Sequence, residues 1–288
     1  MPDANRQAIA IAIYDQYKPE SMEDSVPRTV EGAVVAIADK ADSIAGMFAL
    51  GLQPTGSKDP FALRRQANGI IKIIAEHKLP LSLGRLFKDA REAYRSSAAE
   101  KKLSAADYTN VIRAFFHERL EFYLRTTFKY DVVNAVLAAG SNDVVDVIAR
   151  AKAVTDARDS EDFLSVCIAF KRVKNILRQA EEKQIDIPIL QNRSLLTPPE
   201  MELDEQVRFS SVAFNQLAEK GQYREALIAL AELGPSLEKF FADVMVMVDD
   251  PKLRDNRLNL LSFADKVFRR IADFSEIVTE GSKESPKQ

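Results

Sequence analysis

The chain has 288 residues, of which 46% are hydrophobic and 29% are charged, and its formal net charge is −3 at pH 7. Since one domain usually holds about 100–200 residues, the length predicts two domains, and the composition excludes a disordered polypeptide. Ten glycines and no tryptophan, beside abundant Ala, Leu, Arg, Lys and Glu, disfavour an all-β fold and favour a helical one.

Cysteine and histidine are scarce, which narrows the possible chemistry. The single cysteine, Cys167, leaves no internal disulfide and no cysteine cluster for zinc, and its apolar surroundings (FLSVCIAF) predict a buried thiol. The two histidines, His77 and His117, restrict histidine catalysis or metal binding to sites completed by carboxylates, which disfavours many hydrolases. The amino terminus lacks the roughly 18 apolar residues of a membrane span, so we expect a cytoplasmic protein.

The charge is distributed unevenly. Residues 1–100 hold 13 basic and 13 acidic side chains, residues 101–180 hold 13 and 10, and residues 181–288 hold 14 and 20. An acidic carboxyl-terminal part therefore hides a mildly basic middle, and the average charge does not exclude nucleic acid as a partner.

Apolar residues recur at three-and-four spacing along most of the chain, and no stretch shows the alternation of a strand. The clearest pattern covers residues 29–50, and Asp59 followed by Pro60 predicts the start of the next helix. A small, charged stretch near Ala99 predicts a domain boundary. Helices are predicted over residues 5–17, 29–50, 60–77, 83–98, 108–128, 130–139, 143–155, 160–182, 202–220, 223–247 and 253–278.

The loop GLQPTGSK differs from a nucleotide-binding P-loop, because Ser precedes Lys and a helix leads into it. A weaker interpretation remains open. Lys58, Arg64 and Arg65 surround the free amides at the predicted helix start, which is a natural site for an anion or an RNA phosphate. Alternatively, the two arginines pair with carboxylates.

Two carboxylates, Asp39 and Asp42, lie opposite the apolar stripe of the 29–50 helix. Such a pair can hold a divalent cation, but neither residue is next to a histidine in sequence. A solvated or salt-bridged face is the favoured interpretation.

The 160–182 helix predicts both a core face and a basic strip. Phe163, Val166, Cys167, Phe170, Val173 and Leu177 fall on one side of the helical wheel. A basic strip beside this face can track a phosphate backbone, although a charge run is usually a solvated face. A second basic group on the 108–128 helix is mixed with aromatic residues that suit stacking on unpaired RNA bases. The residues of the two groups are Lys171, Arg172, Lys174, Asn175 and Arg178, and Arg113, Arg119 and Arg125.

The sequence also resembles a known family. Residues 30–74, with the elements ADK-x-D, PTGSKDP and ALRR, resemble the bacterial glycyl-tRNA synthetase β subunit. FFHERLEFYL at 115–124, AVL at 135–137 and FKRVKNIL at 170–177 resemble its DALR-type anticodon-binding domain. Because the family's subunit is considerably longer, the chain resembles its carboxyl-terminal portion.

The resemblance implies an all-α fold with two helical domains. Residues 1–98 would form a degenerate HD-like bundle, and residues 99–288 a DALR-type anticodon-binding bundle. It also implies an α2β2 aminoacyl-tRNA synthetase, a glycine–tRNA ligase of protein biosynthesis, in which the α subunit uses ATP to activate glycine. This chain would bind glycine tRNA and would itself hold no catalytic residue, metal or cofactor. The tRNA-binding residues expected are Lys171, Arg172, Lys174, Asn175, Arg178, Arg119 and Arg125, with Lys58, Arg64 and Arg65 as a further anion or RNA contact.

Two other functions remain open. An HD-type phosphohydrolase would need Asp39, Asp42 and His77 to converge, but the His-Asp dyad reads Ala38-Asp39, and Gln16 stands where the family often has a histidine. The other is a structural module that docks the α subunit, which the apolar, weakly charged first domain would suit.

Overall fold

A computed structural model of the chain describes residues 3–97, 105–189 and 191–279. Within these residues it consists of α-helices joined by turns and two short 3₁₀ segments, with no strand, which confirms the predicted all-α fold class. The helices are α1 Asp3–Asp15, α2 Val30–Ala49, α3 Leu63–His77, α4 Leu83–Glu92, α5 Ala105–Leu124, α6 Tyr130–Ala138, α7 Val144–Ala157, α8 Glu161–Glu182, α9 Pro198–Glu219, α10 Tyr223–Ala231, α11 Gly234–Asp243 and α12 Pro251–Phe268.

The chain divides into two compact units. Unit 1 comprises residues 1–127 and 141–148, and unit 2 comprises residues 128–140 and 149–288. The domain boundary expected near Ala99 lies outside the described residues. None of the described helices is long and apolar enough to cross a membrane.

Unit 1 is organised around α2, which packs on α1, α3 and α4, while α3 also packs on α5. The hydroxyl of Thr29 caps α2 by accepting a hydrogen bond from the Gly32 amide at 3.1 Å. Ile37, Ile44 and Phe48 of the predicted apolar stripe of α2 are buried as their spacing predicts. Val30 and Val34, which the same spacing assigns to the stripe, are exposed, so the prediction is wrong for these two residues.

Helix α3 begins three residues later than predicted. Ala62 adopts a left-handed conformation, with φ of 53°, so the regular helix starts at Leu63 rather than at Pro60. Asp59 still acts as the cap: its Oδ1 accepts from the Leu63 amide at 2.8 Å and its Oδ2 from the Arg64 amide at 3.0 Å. The carboxylate therefore occupies two of the amides that the sequence suggested were free for an anion.

Buried cationic side chains hold the segment that connects α1 to α2. Lys40 is 4% exposed, and its ammonium donates to the carbonyl oxygens of Gln16 and Lys18 at 3.1 and 2.9 Å. Lys72 donates to the carbonyls of Met22 and Asp24, both at 2.6 Å. Burial lowers the pKa of Lys40, because the charged ammonium loses hydration there. Both ammonium groups therefore stabilise the connection between α1 and α2 and point away from solvent.

Unit 2 is organised around α8, which packs on α10, α11, α12 and the 3₁₀ segment Phe274–Glu276. The predicted core face of α8 is confirmed for Phe163, Val166, Phe170 and Val173, which are all buried. Leu177, predicted on the same face, is only half-buried. Cys167 is also buried, and burial raises the pKa of its thiol to about 12. The predicted packing role of this cysteine is therefore confirmed.

Two arginines fasten the shorter helices of unit 2. Arg150 donates to the carbonyls of Val136, Gly140 and Ile271 at 2.7, 2.8 and 2.9 Å. Arg158 forms a two-bond fork with the buried carboxylate of Asp131, each bond being 3.0 Å long.

Three of the predicted helix boundaries in unit 2 are wrong. The helix predicted over 223–247 is interrupted between Ala231 and Gly234, and the one predicted over 253–278 already ends at Phe268. Helix α9 starts four residues before the predicted residue 202, because Thr197 and Glu200 form a capping box on either side of Pro198 and Pro199.

Candidate nucleic-acid interface

The most basic stretch of α8 spans residues 171–178, and we call the five residues predicted there (Lys171, Arg172, Lys174, Asn175 and Arg178) the α8 strip. Lys174 lies at its centre. The ammonium donates to Asp273 Oδ2 at 2.6 Å and to Glu276 Oε1 at 3.2 Å. Lys174 therefore ties α8 to the 3₁₀ segment of unit 2.

Electrostatics agree with a structural role for Lys174. Burial acts to lower its pKa, but the hydrogen bonds and charges of Asp273 and Glu276 outweigh burial and raise it. The partner responds in the opposite direction: burial acts to raise the pKa of Asp273, but bonds from Lys174 and Ser275 hold it below its ordinary value. The ion pair is thus formed at neutral pH, and a phosphate would have to compete with two carboxylates for this ammonium.

Arg172 is also engaged within unit 2. Its guanidinium lies 4.3 Å from the centre of the Phe241 ring, and its Nη2 is 3.4 Å from the Phe241 carbonyl oxygen. A cation on an aromatic face gains roughly 0.5–2 kcal/mol, so this contact holds the arginine against α11.

The rest of the strip faces outward. Arg178 is 66% exposed; its guanidinium donates to Asn175 Oδ1 at 3.3 Å and lies 3.8 Å from Glu182, a long and weak pair. Lys171 is half-buried, and no described residue forms an ion pair or hydrogen bond with its ammonium. Lys171, Asn175 and Arg178 are therefore the strip residues with polar groups available to a ligand.

The α5 arginines predicted to bind tRNA, Arg119 and Arg125, lie in unit 1, and each already forms an ion pair with a neighbouring glutamate. Arg119 is only 14% exposed; it pairs with Glu118 at 2.8 Å and covers the Phe115 ring at 5.4 Å. Arg125 bonds Glu121 Oε1 at 2.6 Å, one turn before it on the same helix. An RNA phosphate could exchange with the exposed Arg125 pair more readily than it could reach Arg119.

The third predicted basic group, Lys58, Arg64 and Arg65, differs from the α5 arginines in its lack of ion pairs within the described part of the chain. Lys58 and Arg65 are exposed, Arg64 is half-buried, and among the described residues none of the three has an ion-pair partner. The alternative that both arginines pair with carboxylates therefore finds no support in the described part of the chain. Their positive charge remains available on the surface of unit 1.

Exposed apolar side chains lie in the same loop region as these three cations. The charge pattern of the sequence did not predict them. Phe61 is 41% exposed, and Leu50 and Leu52 on the same loop are also exposed. The sequence feature that could have predicted their exposure is their position next to the turn-forming segment PTGSKDP. Apolar periodicity does not predict which side chains of a turn are exposed.

Asp39, Asp42 and His77 do not form a common site. Asp42 Oδ1 accepts a hydrogen bond from the Tyr94 hydroxyl at 3.0 Å, and His77 Nε2 lies 2.7 Å from the Pro27 carbonyl oxygen. Asp39 is exposed. Across residues 3–97, 105–189 and 191–279, no three His, Cys, Asp or Glu side chains are grouped so that they could hold a metal ion. Asp39, Asp42 and His77 therefore do not come together in the way that an HD-type phosphohydrolase would require.

Comparison with known proteins matches both parts of the chain to described families. Residues 2–138 match the family described as glycyl-tRNA synthetase beta subunit, and residues 166–279 match the DALR anticodon binding domain. The chain is 49% identical to the glycine–tRNA ligase beta subunit of Acidobacterium capsulatum over 94% of its own length. The chain belongs to the glycyl-tRNA synthetase β-subunit family. The resemblance inferred from its sequence motifs, to the carboxyl-terminal portion of that subunit, is confirmed.

More distant relatives in the glycyl-tRNA synthetase β-subunit family agree. The chain is 42% identical to the β subunit of Syntrophus aciditrophicus and 35% identical to that of Clostridioides difficile, in each case over 94% of this chain. It spans only 39% of the Acidobacterium protein and 38% of the other two. The α8 strip falls within the DALR match, and Lys58, Arg64 and Arg65 of unit 1 fall within the other.

Proposed function

We propose that this chain is the tRNA-recognition portion of a glycine–tRNA ligase β subunit, acting in the cytoplasm. It binds glycine tRNA in the anticodon region, while the α subunit of an α2β2 assembly activates glycine with ATP. The observation that carries this proposal is the DALR anticodon-binding match over residues 166–279, which contains the outward-facing cations Lys171 and Arg178.

Binding would rest mainly on neutralisation of phosphates, supplemented by stacking. Each cation that contacts a phosphate releases counterions, so affinity falls steeply as salt increases. Within the α8 strip, we assign this contact to Lys171, Arg178 and the amide of Asn175. Lys174 and the exposed Arg172 are held in unit 2 by Asp273 and Phe241, respectively, and support the surface. On α5, Arg125 is the better placed of the two arginines because its pair is exposed.

A binding titration tests the proposal directly. The chain is titrated with glycine tRNA and with a non-cognate tRNA at two salt concentrations. We expect tighter binding of glycine tRNA and a difference between the two tRNAs that persists at the higher salt, since base contacts are less salt-dependent than phosphate contacts. Equal affinity for both tRNAs at both concentrations would contradict specific recognition by this chain.

Paired variants test the role assigned to the strip. Lys171→Ala/Arg178→Ala should weaken tRNA binding and reduce the slope of log K against log salt by about 0.7–0.9 for each phosphate that is no longer neutralised. The matched control Lys152→Ala/Arg224→Ala removes the same charge from two exposed positions elsewhere in unit 2. If both double variants change the slope equally, the α8 strip has no particular role.

The α subunit is the second proposed partner, and exposed apolar residues of α1 and α2 favour a protein contact in unit 1. Ile9 and Ile13 on α1 and Val34 and Val35 on α2 are all exposed, and Ile9, Ile13 and Val35 line a shared groove. Burying such a surface is favourable by roughly 25 cal/mol per Å² of apolar area. Sedimentation of the chain with purified α subunit should show a complex that Ile13→Asp weakens and the exposed α4 substitution Lys88→Asp does not.

A further inference from the structure

We infer that unit 1 carries a second RNA contact of its own, formed by Lys58, Phe61, Arg64 and Arg65, which we call the α3 platform. The three cations would neutralise backbone phosphates, and the Phe61 ring would stack on an unpaired base. This inference rests on the proposed function, because it assumes that the ligand is the same tRNA. It adds a contact outside the anticodon-binding match.

The backbone of the α3 platform is fixed by its own hydrogen bonds. Thr55 and Lys58 exchange backbone bonds of 3.1 and 2.9 Å, and the Gln66 side chain donates to the Phe61 carbonyl oxygen at 3.1 Å. Asp59 ties the loop to the first turn of α3 through the Leu63 and Arg64 amides. Little backbone ordering would therefore be needed on binding, and pre-organisation of this kind favours affinity.

Charge at the α3 platform is strongly positive. Between residues 43 and 75 the sequence contains one acidic residue, Asp59, and both of its carboxylate oxygens accept backbone amides. Lys72, the fourth cation of this stretch, points to the carbonyls of Met22 and Asp24 and does not join the surface. Within this stretch, the three cations are accompanied by a single carboxylate, which already accepts two backbone amides.

The chemistry of the platform favours RNA over a protein partner. Each guanidinium group matches the geometry of phosphate oxygens, and an ammonium adds a point charge. The Phe61 ring is 41% exposed, and no described aromatic ring or guanidinium packs on it. A flat ring among unpaired cations is the combination that binds single-stranded nucleic acid by stacking and charge.

The experiment compares two triple variants of the full chain. Lys58→Ala/Arg64→Ala/Arg65→Ala removes the platform cations, and Arg6→Ala/Arg85→Ala/Lys88→Ala removes three exposed cations from α1 and α4 as the control. The dissociation constant for glycine tRNA is measured over a range of salt, and phosphates that touch the protein are mapped by ethylation interference. Circular dichroism confirms that both variants are folded.

We expect the platform variant to reduce the salt slope by about 2–3, and the control to leave it unchanged. The phosphates that disappear from the map in the platform variant should differ from those that disappear in Lys171→Ala/Arg178→Ala. Phe61→Leu, which keeps an apolar side chain but removes the ring, should weaken binding about five-fold or more, because the side chain can no longer stack on a base.

The outcomes separate this inference from the proposed function. If the wild-type chain prefers glycine tRNA but the platform variant keeps its affinity, salt slope and phosphate map, the platform contact is overturned and the proposed function stands. If the wild type binds both tRNAs equally and the platform variant loses affinity for both, the contact stands and specific recognition fails. If the wild type binds neither tRNA, both proposals are overturned.

Discussion

The α8 strip and the α3 platform both hold clustered cations, but their surroundings differ. In the strip, Lys174 pairs with two carboxylates and Arg172 covers an aromatic ring. In the platform, Lys58, Arg64 and Arg65 have no ion-pair partner among the described residues. A cluster of basic residues in a sequence therefore indicates either an internal ion-pair network or a binding surface, and only the neighbours decide which.

The difference follows from position in the fold. The strip lies beside the buried face of the central helix of unit 2, where neighbouring elements bring Asp273 and Phe241 within reach. The platform spans the end of the turn between α2 and α3 and the first turn of α3, where the only nearby acid in sequence is the capping Asp59. Lys174 and Arg172 of the strip should therefore contribute mainly to stability, whereas all three cations of the platform should contribute to ligand binding.

The largest effect is expected for Asp273→Ala. The carboxylate is 6% exposed and accepts bonds from Lys174 and from the backbone and hydroxyl of Ser275. Its removal leaves Lys174 with one partner, so the free energy of unfolding should fall by about 2–3 kcal/mol in urea titration. The matched control Glu276→Ala removes the more exposed partner of the same ammonium and should cost under about 1 kcal/mol. Equal losses would contradict the assignment of Asp273 as the main partner.

Acid should weaken the same contact. Because the folded pKa of Asp273 lies below its ordinary value of 3.8, its stabilising contribution is complete above that pH and is lost as the pH falls through the folded pKa. Asp265 acts in the opposite direction, because burial raises its pKa and favours its protonated form in the folded state. The free energy of unfolding, measured from pH 6 downward, should decrease less steeply below pH 4 in Asp273→Ala than in the wild type. Parallel curves would contradict this.

Replacing Lys174 and replacing Lys171 should have different effects on stability and on tRNA binding. Lys174→Ala should lower the free energy of unfolding by about 1–2 kcal/mol, because Asp273 is left buried without its ammonium; solvent screening limits the loss, since Lys174 is 38% exposed. Lys171→Ala should change it by less than about 0.5 kcal/mol. In the tRNA titration the order should reverse, with Lys171→Ala weakening binding more than Lys174→Ala among molecules that remain folded. A loss of affinity without a loss of stability in Lys174→Ala would instead make Lys174 a direct contact.

Periodicity was sufficient to predict the fold class, the core face of α8 and helix α2 to within one residue at each end. It failed where a single backbone conformation or cap decides the outcome. The left-handed Ala62 delays α3, and the Thr197–Glu200 capping box advances α9. Both effects depend on a few hydrogen bonds, which apolar spacing does not reflect.

The candidate site was predictable only as a set of charges. Sequence spacing placed Lys174 and Arg178 on one flank of α8, but the partner of Lys174 lies 99 residues further along the chain. No local pattern predicts such a contact. The absence of ion-pair partners for Arg64 and Arg65 among the described residues was equally inaccessible, because it depends on where acids lie in space as well as in sequence.

A smaller effect is expected at the cap of the α3 platform. Asp59→Ala removes the acceptor for the Leu63 and Arg64 amides, so the free energy of unfolding should fall by about 1 kcal/mol, typical of a missing helix cap. Asp59→Asn removes the charge but keeps one of the two acceptor oxygens, so it can accept from one of the two amides and should recover about half of that loss. Thermal unfolding of the two variants separates the cap from the charge. If the asparagine variant is as unstable as the alanine variant, the charge at the helix start, rather than the hydrogen bonds, carries the effect.

The smallest effect is expected when the platform cations themselves are removed. Lys58→Ala/Arg64→Ala/Arg65→Ala should change the free energy of unfolding by less than about 0.5 kcal/mol, because no described carboxylate loses a partner. Any change should be a slight gain at low salt, since three neighbouring positive charges repel one another and salt screens that repulsion. Urea titrations at two salt concentrations measure both. A loss above about 1 kcal/mol would mean that these cations are part of a stabilising network, as Lys174 is in the strip, and the contrast between the two regions would then disappear.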